Sequence, residues 1–244
     1  MTRILMWSGP RNLSTAMMRA FGARGDCAVW DEPFYAPYLR ATGNDHPMRE
    51  DTLAAYENDP DKVSAACAAS APDGSQHYYQ KHMTHHMLDH FDLSFMDGAI
   101  NIFLIREPER VLASYTEKWQ TVTLHDIGFD TQAALFDRIA QKTGKAPIVL
   151  NSSDVTRAPA DTLQKLCQVI GIAWTAKMLH WPAGIHASDG VWARHWYNAV
   201  EKSTGFTPSV EKPLPVLPDH LQRIADDARI HYAHLDQSAG RISV

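Results

Sequence analysis

The 244-residue chain predicts an α/β fold, a central and mostly parallel sheet flanked by helices, organised as a single domain over 1–244. Three observations predict it. Residues 3–21 pass from an apolar stretch (Ile4 to Trp7) through a Ser8-Gly9-Pro10 turn into the helical spacing Leu13, Met17, Phe21, which reads as strand, tight loop, helix. Further short apolar runs alternate with helical patterns, the strongest being Ala99 to Ile105, as in a parallel sheet. The length suffices for one sizeable core.

Each element follows in order. The first loop aims backbone N–H groups and the positive end of a helix dipole at whatever sits above the strand, which favours an anion. Arg11, Asn12, Ser14 and Thr15 add a charge and three polar groups. Cys27 to Trp30 is a second strand, stopped at Pro33. Asp31 and Glu32 therefore land at a strand end, where open α/β sheets bind ligands. Residues 34–76 carry Pro37, Pro47 and Pro60 with helical patches near 51–56 and 63–69, and read as a helical insertion. His77 to Lys81 forms the next strand. After it His82, His85, His86 and His90 crowd together, with His82, His86 and His90 on one face if the segment is helical.

Ala99 to Ile105 is the central strand, and Pro108 suits the first turn of a helix bearing Val111, Leu112, Tyr115 and Trp119. Arg106 stands at the strand exit and Ser114 about two turns into that helix. Residues 131–142 predict an amphipathic helix, 146–150 a strand, and Pro159 to Gly171 a helix closed by glycine. From Trp174 the composition turns to tryptophans and prolines, so 174–244 reads as a lid and terminal-helix region, with a helix over 219–235.

Composition narrows the function. A net charge of -5 and a pI near 6.2 argue against a general nucleic-acid binder, so any anion site is local. Three widely spaced cysteines without metal spacing suit a reduced, cytoplasmic setting. The first residues lack the pattern of a signal peptide and Arg106 interrupts the longest apolar run, so neither a membrane partner nor a membrane span is expected. The histidines have only Asp89 and Asp92 as nearby extra ligands, and no metal is expected.

The nucleotide-hydrolase loop needs a second glycine and a lysine, which this stretch lacks. Pro10-Arg-Asn-Leu-Ser-Thr15 instead resembles the 5′-phosphosulfate loop of sulfotransferases, Pro-Lys/Arg-Ser-Gly-Thr-Thr, with Asn12 and Leu13 departing from it. Arg106-x7-Ser114 at the end of a buried strand resembles that family's 3′-phosphate site, and an arginine fork with a serine donor suits a dianion. Residues 154–172 resemble a scaffold stretch of the same family, and Lys202-Ser203-Thr204-Gly205 loosely resembles its late loop over the cofactor, with Arg194 a further phosphate candidate.

The resemblance implies a three-layer P-loop type fold binding 3′-phosphoadenosine 5′-phosphosulfate through Gly9, Pro10, Arg11, Asn12, Leu13, Ser14, Thr15, Arg106 and Ser114. It implies transfer of the sulfuryl group to a hydroxyl or amine of a small acceptor, leaving adenosine 3′,5′-bisphosphate. Arg11 and Lys81 would neutralise charge. Cytosolic members use Lys-x-His as base, but here Lys81 is followed at once by His82, with Met83 at the family's position; some Golgi members use a glutamate, and Glu32 falls where such a residue lies. Glu32 ranks first as base and His82 second, with His85 and His86 on the acceptor side. Two other readings stand beside this one: a magnesium-dependent kinase or hydrolase with Asp31 as metal ligand, and a nucleotide-binding regulator without turnover. Oligomeric state and acceptor identity are not legible.

Overall fold

The computed structural model describes all residues but 120, 209, 211 and 244. Strand β1 (Thr2–Ser8) leads into α1 (Ser14–Gly22) and β2 (Cys27–Asp31). Helices α2 (Tyr35–Thr42), α3 (Arg49–Ala55) and α4 (Pro60–Ala68) precede β3 (His77–Met83). Strand β4 (Ile100–Ile105) is followed by α5 (Pro108–Thr116), α6 (Leu124–Ile127) and α7 (Phe129–Thr143). Strand β5 (Ile148–Asn151) is followed by α8 (Ser152–Arg157) and α9 (Pro159–Ile170). The short α10 (Ala193–Trp196) and α11 (Asn198–Glu201) come before the long α12 (Asp219–Asp236).

The five strands form one sheet in the order β2-β3-β1-β4-β5, with β2 parallel to β3 and β4 parallel to β5. Ile4, Leu5, Met6 and Trp7 of β1 and Ile102, Phe103, Leu104 and Ile105 of β4 are all fully buried. A strand covered on both faces reads as a continuous apolar run, which is why these two were the clearest in the sequence. Helix boundaries follow local chemistry: Pro108 and Pro159 open α5 and α9, and left-handed Gly171 closes α9.

The chain comprises two compact units. One holds residues 1–6, 15–101 and 175–206, the other 7–14, 102–174 and 207–244. In the first, Tyr35, Tyr38 and Leu39 of α2 pack with Trp192, Ala193 and Tyr197. In the second, Leu221, Ala225 and Ala228 of α12 bury against Val111, Leu112, Ile127 and Phe129, and Arg229 of α12 pairs with buried Glu109 of α5. The tail follows β5: Val149 bonds Gly240 and Ile242 through the backbone. A side chain at Gly240 would sit 1.8 Å from the Pro147 carbonyl oxygen, so only glycine permits that approach.

One segment departs from the sequence reading. The third strand runs to Met83 rather than ending at Lys81, and Thr84–His86 is a single 3-10 turn, so His82, His86 and His90 do not share a helical face. Strand pairing overrides the local histidine pattern: Asp31 lies opposite Lys81 in register, and the Glu32 N–H bonds the Lys81 carbonyl at 2.9 Å. No helix among the described residues is long and apolar enough to cross a membrane.

Candidate functional site

The loop after β1 has an unusual backbone. Arg11 (φ 62°) and Leu13 (φ 69°) both take the left-handed conformation. In the family pattern glycine stands where Leu13 does, and the leucine adopts the backbone shape that glycine would supply. Each such non-glycine residue costs about 1–2 kcal/mol, strain that concentrates at functional sites. Left-handed residues in a short turn turn successive N–H groups to one side, the arrangement of an anion-binding nest. Gly9 is needed for another reason: a Cβ there would lie 2.3 Å from the Ile127 carbonyl oxygen. Pro10 follows it, half-buried. Buried Asn12 donates to the Leu104 carbonyl at 3.1 Å, and Gln132 donates to the Trp7 and Leu104 carbonyls at 3.0 Å each, tying the loop base to β4. Ser14 and Thr15 open α1.

Arg106 and Ser114 meet this loop. Arg106 Nη1 donates to the Arg11 carbonyl at 2.6 Å, and Arg11 Nε donates to Ser114 Oγ at 2.9 Å. Helix α5 therefore does bring the serine back to the strand exit, as the Arg-x7-Ser spacing requires. Burial lowers the pKa of both guanidiniums. Glu117 opposes this at Arg11 and Glu107 at Arg106, while Arg110 and Arg11 push Arg106 further down. Lys118 is lowered by burial and then by Arg11. Cations crowding one another at the mouth of a nest form a donor set suited to a phosphate dianion, so the residues present fit the phosphosulfate nucleotide that the sequence implies.

The second cluster is a buried charge network in the other unit. Lys81 Nζ donates to Asp31 Oδ1 at 2.9 Å, to Glu32 Oε1, and to Tyr197 Oη at 2.6 Å. Tyr197 Oη donates to Asp31 (2.7 Å to Oδ2) and accepts from Trp192 Nε1 at 3.3 Å, while the Gly190 N–H bonds Asp31 Oδ2 at 3.1 Å. Asp31 and Lys81 side chains are 2% and 1% exposed, whereas Glu32 keeps 10%. Glu32 also has a left-handed φ of 43°. Burial raises its pKa and Asp31 adds to the rise, against the pull of Lys81. Burial alone would lower Lys81, but Asp31 and Glu32 outweigh it and raise it. Both oxygens of Asp31 are taken by protein donors, the setting of a structural anion rather than of a magnesium ligand.

Strand geometry separates the two base candidates. Neighbours on a strand point to opposite faces, so Lys81 and His82 face apart, and His82 contacts Gln80 on its own face (Nε2 to Oε1, 3.2 Å). His82 lies 1% exposed among Phe34 and Phe95, and burial lowers it to about 3. His86 stacks on Tyr35 and Tyr38, with ring centroids 4.6 and 4.8 Å away, and His85 meets Tyr38 edge-on. Burial and then His85 push His86 well below the usual histidine range. Among the described residues no group of three or more histidines, cysteines or carboxylates has the arrangement to hold a metal.

The late loop belongs to the first unit. Arg194 and Lys202 are exposed. Ser203 Oγ donates to the Val200 carbonyl at 2.6 Å and accepts from Trp181 Nε1 at 3.0 Å, and the Thr204 carbonyl accepts from the Trp181 N–H at 3.1 Å. Gly205 pairs with His180, and a Cβ there would meet the Leu179 carbonyl oxygen at 2.4 Å. Tyr197 and Gly190 escaped sequence reasoning because their partners Asp31 and Lys81 on β2 and β3 lie more than a hundred residues away, with no spacing to mark them.

Sheet order and the flanking helices define an α/β protein with one five-stranded sheet. A family model described as a sulfotransferase domain matches residues 2–231. The chain belongs to that family. Solved structures agree in fold: the sulfotransferase domain of the Synechococcus PCC 7002 olefin synthase (TM-score 0.57, 16% identity, covering 93% of this chain and 94% of that one) and a sulfotransferase from Alicyclobacillus acidocaldarius (0.54, 11%, covering 97% and 94%). Two Arabidopsis thaliana proteins named branched-chain-amino-acid aminotransferase-like protein 2 and 1 are each 34% identical, over 85% and 97% of this chain. The match spans only 36% and 43% of their lengths.

Proposed function

We propose that the protein transfers the sulfuryl group of 3′-phosphoadenosine 5′-phosphosulfate to a hydroxyl or amine of a small acceptor in the cytoplasm, without a metal. The convergence of Arg106, Arg11 and Ser114 on a left-handed loop carries this reading. Arg106 and Ser114 hold the 3′-phosphate, and the loop N–H groups with Ser14 and Thr15 hold the 5′-phosphate. Arg11 offsets the charge that develops on the oxygen bridging sulfur and phosphorus as that S–O bond breaks. Glu32 takes the proton of the acceptor as its new bond to sulfur forms. A glutamate of ordinary pKa, about 4.3, is a weak base for an alcohol, and the raised pKa of Glu32 strengthens it. His82, held neutral in the core, is a poorer base. The aminotransferase-like names belong to proteins more than twice the matched length and are not carried over.

Calorimetric titration with adenosine 3′,5′-bisphosphate and with magnesium-ATP tests the donor: tighter binding of the bisphosphate is expected, and a preference for magnesium-ATP overturns it. Single-turnover kinetics with donor-saturated enzyme test the base. Glu32→Gln is expected to slow the chemical step at least about 100-fold, while His82→Gln retains most of it. Binding without turnover by any acceptor identifies a regulator instead.

A further inference from the structure

The network around Lys81 has more structure than a base alone requires, and its hydrogen bonds can be assigned one by one. Lys81 Nζ has three protons and three acceptors: Asp31 Oδ1, Glu32 Oε1 and Tyr197 Oη. Both lone pairs of the Tyr197 oxygen are used, by Lys81 and by Trp192 Nε1. Its single proton then goes to Asp31, whose oxygens lie 2.7 and 2.8 Å away, rather than to Glu32 Oε1 at 3.3 Å. Asp31 thereby collects donors from Lys81, Tyr197 and the Gly190 N–H. Among the described residues Glu32 is held through Oε1, and it is the least sealed of the three charged groups. The network gives its donors to one carboxylate and leaves the other as proton acceptor.

We infer that Tyr197 is a positioning residue that holds Asp31 in a structural role, supplied with donors on both oxygens, and leaves Glu32 as the carboxylate that exchanges its proton. The inference rests on the reading of Glu32 as the base. Segment 184–197 is pinned for this purpose at two buried points. Arg19 bonds Asp189 Oδ2 at 2.7 Å and the Gly184 carbonyl at 2.9 Å, and Asp31 holds Gly190 and Tyr197. Gly190 cannot be replaced without collision, since a Cβ would come within 2.2 Å of the Trp192 ring. Trp192 in turn is 1% exposed and packs on Tyr35 and Tyr56.

The groups that act on Glu32 are Asp31 from β2, Lys81 from β3 and Tyr197 from the chain after α10. Farther out, Tyr56 and Asp189 feel the charge of Asp31, and His86 that of Lys81. Tyr197 and Asp31 act on Glu32 in opposite senses. The Tyr197 hydroxyl stabilises the charged network, while the Asp31 charge opposes ionisation of Glu32. Removing the first therefore raises the titration of Glu32, and removing the second lowers it.

Carbon-13 carboxyl NMR of the whole protein, with the Glu32 signal assigned through Glu32→Gln, reads this without donor or acceptor. Tyr197→Phe is expected to move the Glu32 midpoint up, by less than the roughly one pH unit that a direct hydrogen bond to a charged group is worth, because the Tyr197 proton goes to Asp31 and acts on Glu32 Oε1 only from 3.3 Å. Asp31→Asn is expected to move it down. A midpoint unmoved in Tyr197→Phe overturns the inference, and if that variant does not fold, an unmoved or raised midpoint in Asp31→Asn does so. A packing role alone would lower thermal stability and leave the midpoint in place. The acidic limb of the turnover profile should follow the NMR midpoint. Shifted midpoints in a protein that transfers no sulfuryl group sink the proposed function and leave the positioning intact; sulfuryl transfer with unmoved midpoints does the reverse.

Discussion

The loop at Arg11 and the network at Lys81 handle charge in opposite ways. Around the loop, burial lowers Arg11, Arg106 and Lys118, Arg11 lowers Arg106 and Lys118 further, and Glu117 and Glu107 oppose the fall. Around Lys81 every cationic proton has an acceptor within the protein, and the carboxylates outnumber the lysine. The loop holds Arg11 and Arg106 at half-buried positions, Arg11 on Ser114 and Arg106 on the Arg11 carbonyl. The network matches its cation internally and gives Asp31 more donors than Glu32. The consequence is that the same kind of substitution should have different effects in the two places.

The largest contrast is in stability. Lys81→Met strands two carboxylates in the core and is expected to cost about 3–5 kcal/mol in urea denaturation. Arg106→Ala relieves crowding among cations, so its unfolding midpoint should stay near wild type. Equal losses in the two variants would erase the distinction.

Next comes ligand affinity. Arg106→Ala removes a charged contact and the bond that braces Arg11, and should weaken adenosine 3′,5′-bisphosphate binding by about 2–5 kcal/mol in calorimetry. At Arg11, the arginine proposed to act in the chemistry, the fork matters as well as the charge. Arg11→Lys is therefore expected to retain more turnover than Arg11→Met, and indistinguishable rates would remove Arg11 from the chemistry.

A smaller effect concerns pH. Folding raises the pKa of Glu32, so the folded chain prefers its neutral form. The associated stability is fully present below the unfolded value, near 4.3, and is lost as pH rises through the folded value. Glu32→Gln abolishes that loss. Its melting temperature should exceed wild type at pH 8, by roughly 1 kcal/mol of stability typical of relieved active-site strain, and the gain should vanish at pH 4. A gain of the same size at both values would separate it from ionisation.

The smallest effect is at Leu13. Glycine removes about 1–2 kcal/mol of left-handed strain but makes the unfolded chain freer and gives up a half-buried side chain. Leu13→Gly should therefore change stability by less than about 1 kcal/mol and leave bisphosphate affinity intact. Leu13→Val, branched at Cβ and held at φ 69°, should weaken both.

Much of this protein was legible before any coordinates. Strands β1 and β4 announced themselves because a doubly covered parallel strand is apolar throughout, and α5 and α9 because proline and glycine mark helix ends through their own backbone limits. The strand-loop-helix turn that carries Arg11, Ser14 and Thr15 was legible because a short loop between adjacent elements keeps its residues together in sequence. Arg106 and Ser114 were readable for the same reason, being one strand exit and two helical turns apart. These are local rules, and the sequence by itself determined them. Tertiary structure decided the rest. Strand β3 runs on through His82, beyond its last pair with β2 at Lys81, and this turns that imidazole into the core and away from Lys81's face. The packing of segment 184–197 brought Tyr197 and Gly190 onto Asp31 across 166 and 159 residues, a separation over which no periodicity or spacing survives. Which carboxylate is sealed and which keeps an open oxygen depends on burial, a property that a residue acquires only from what is folded around it.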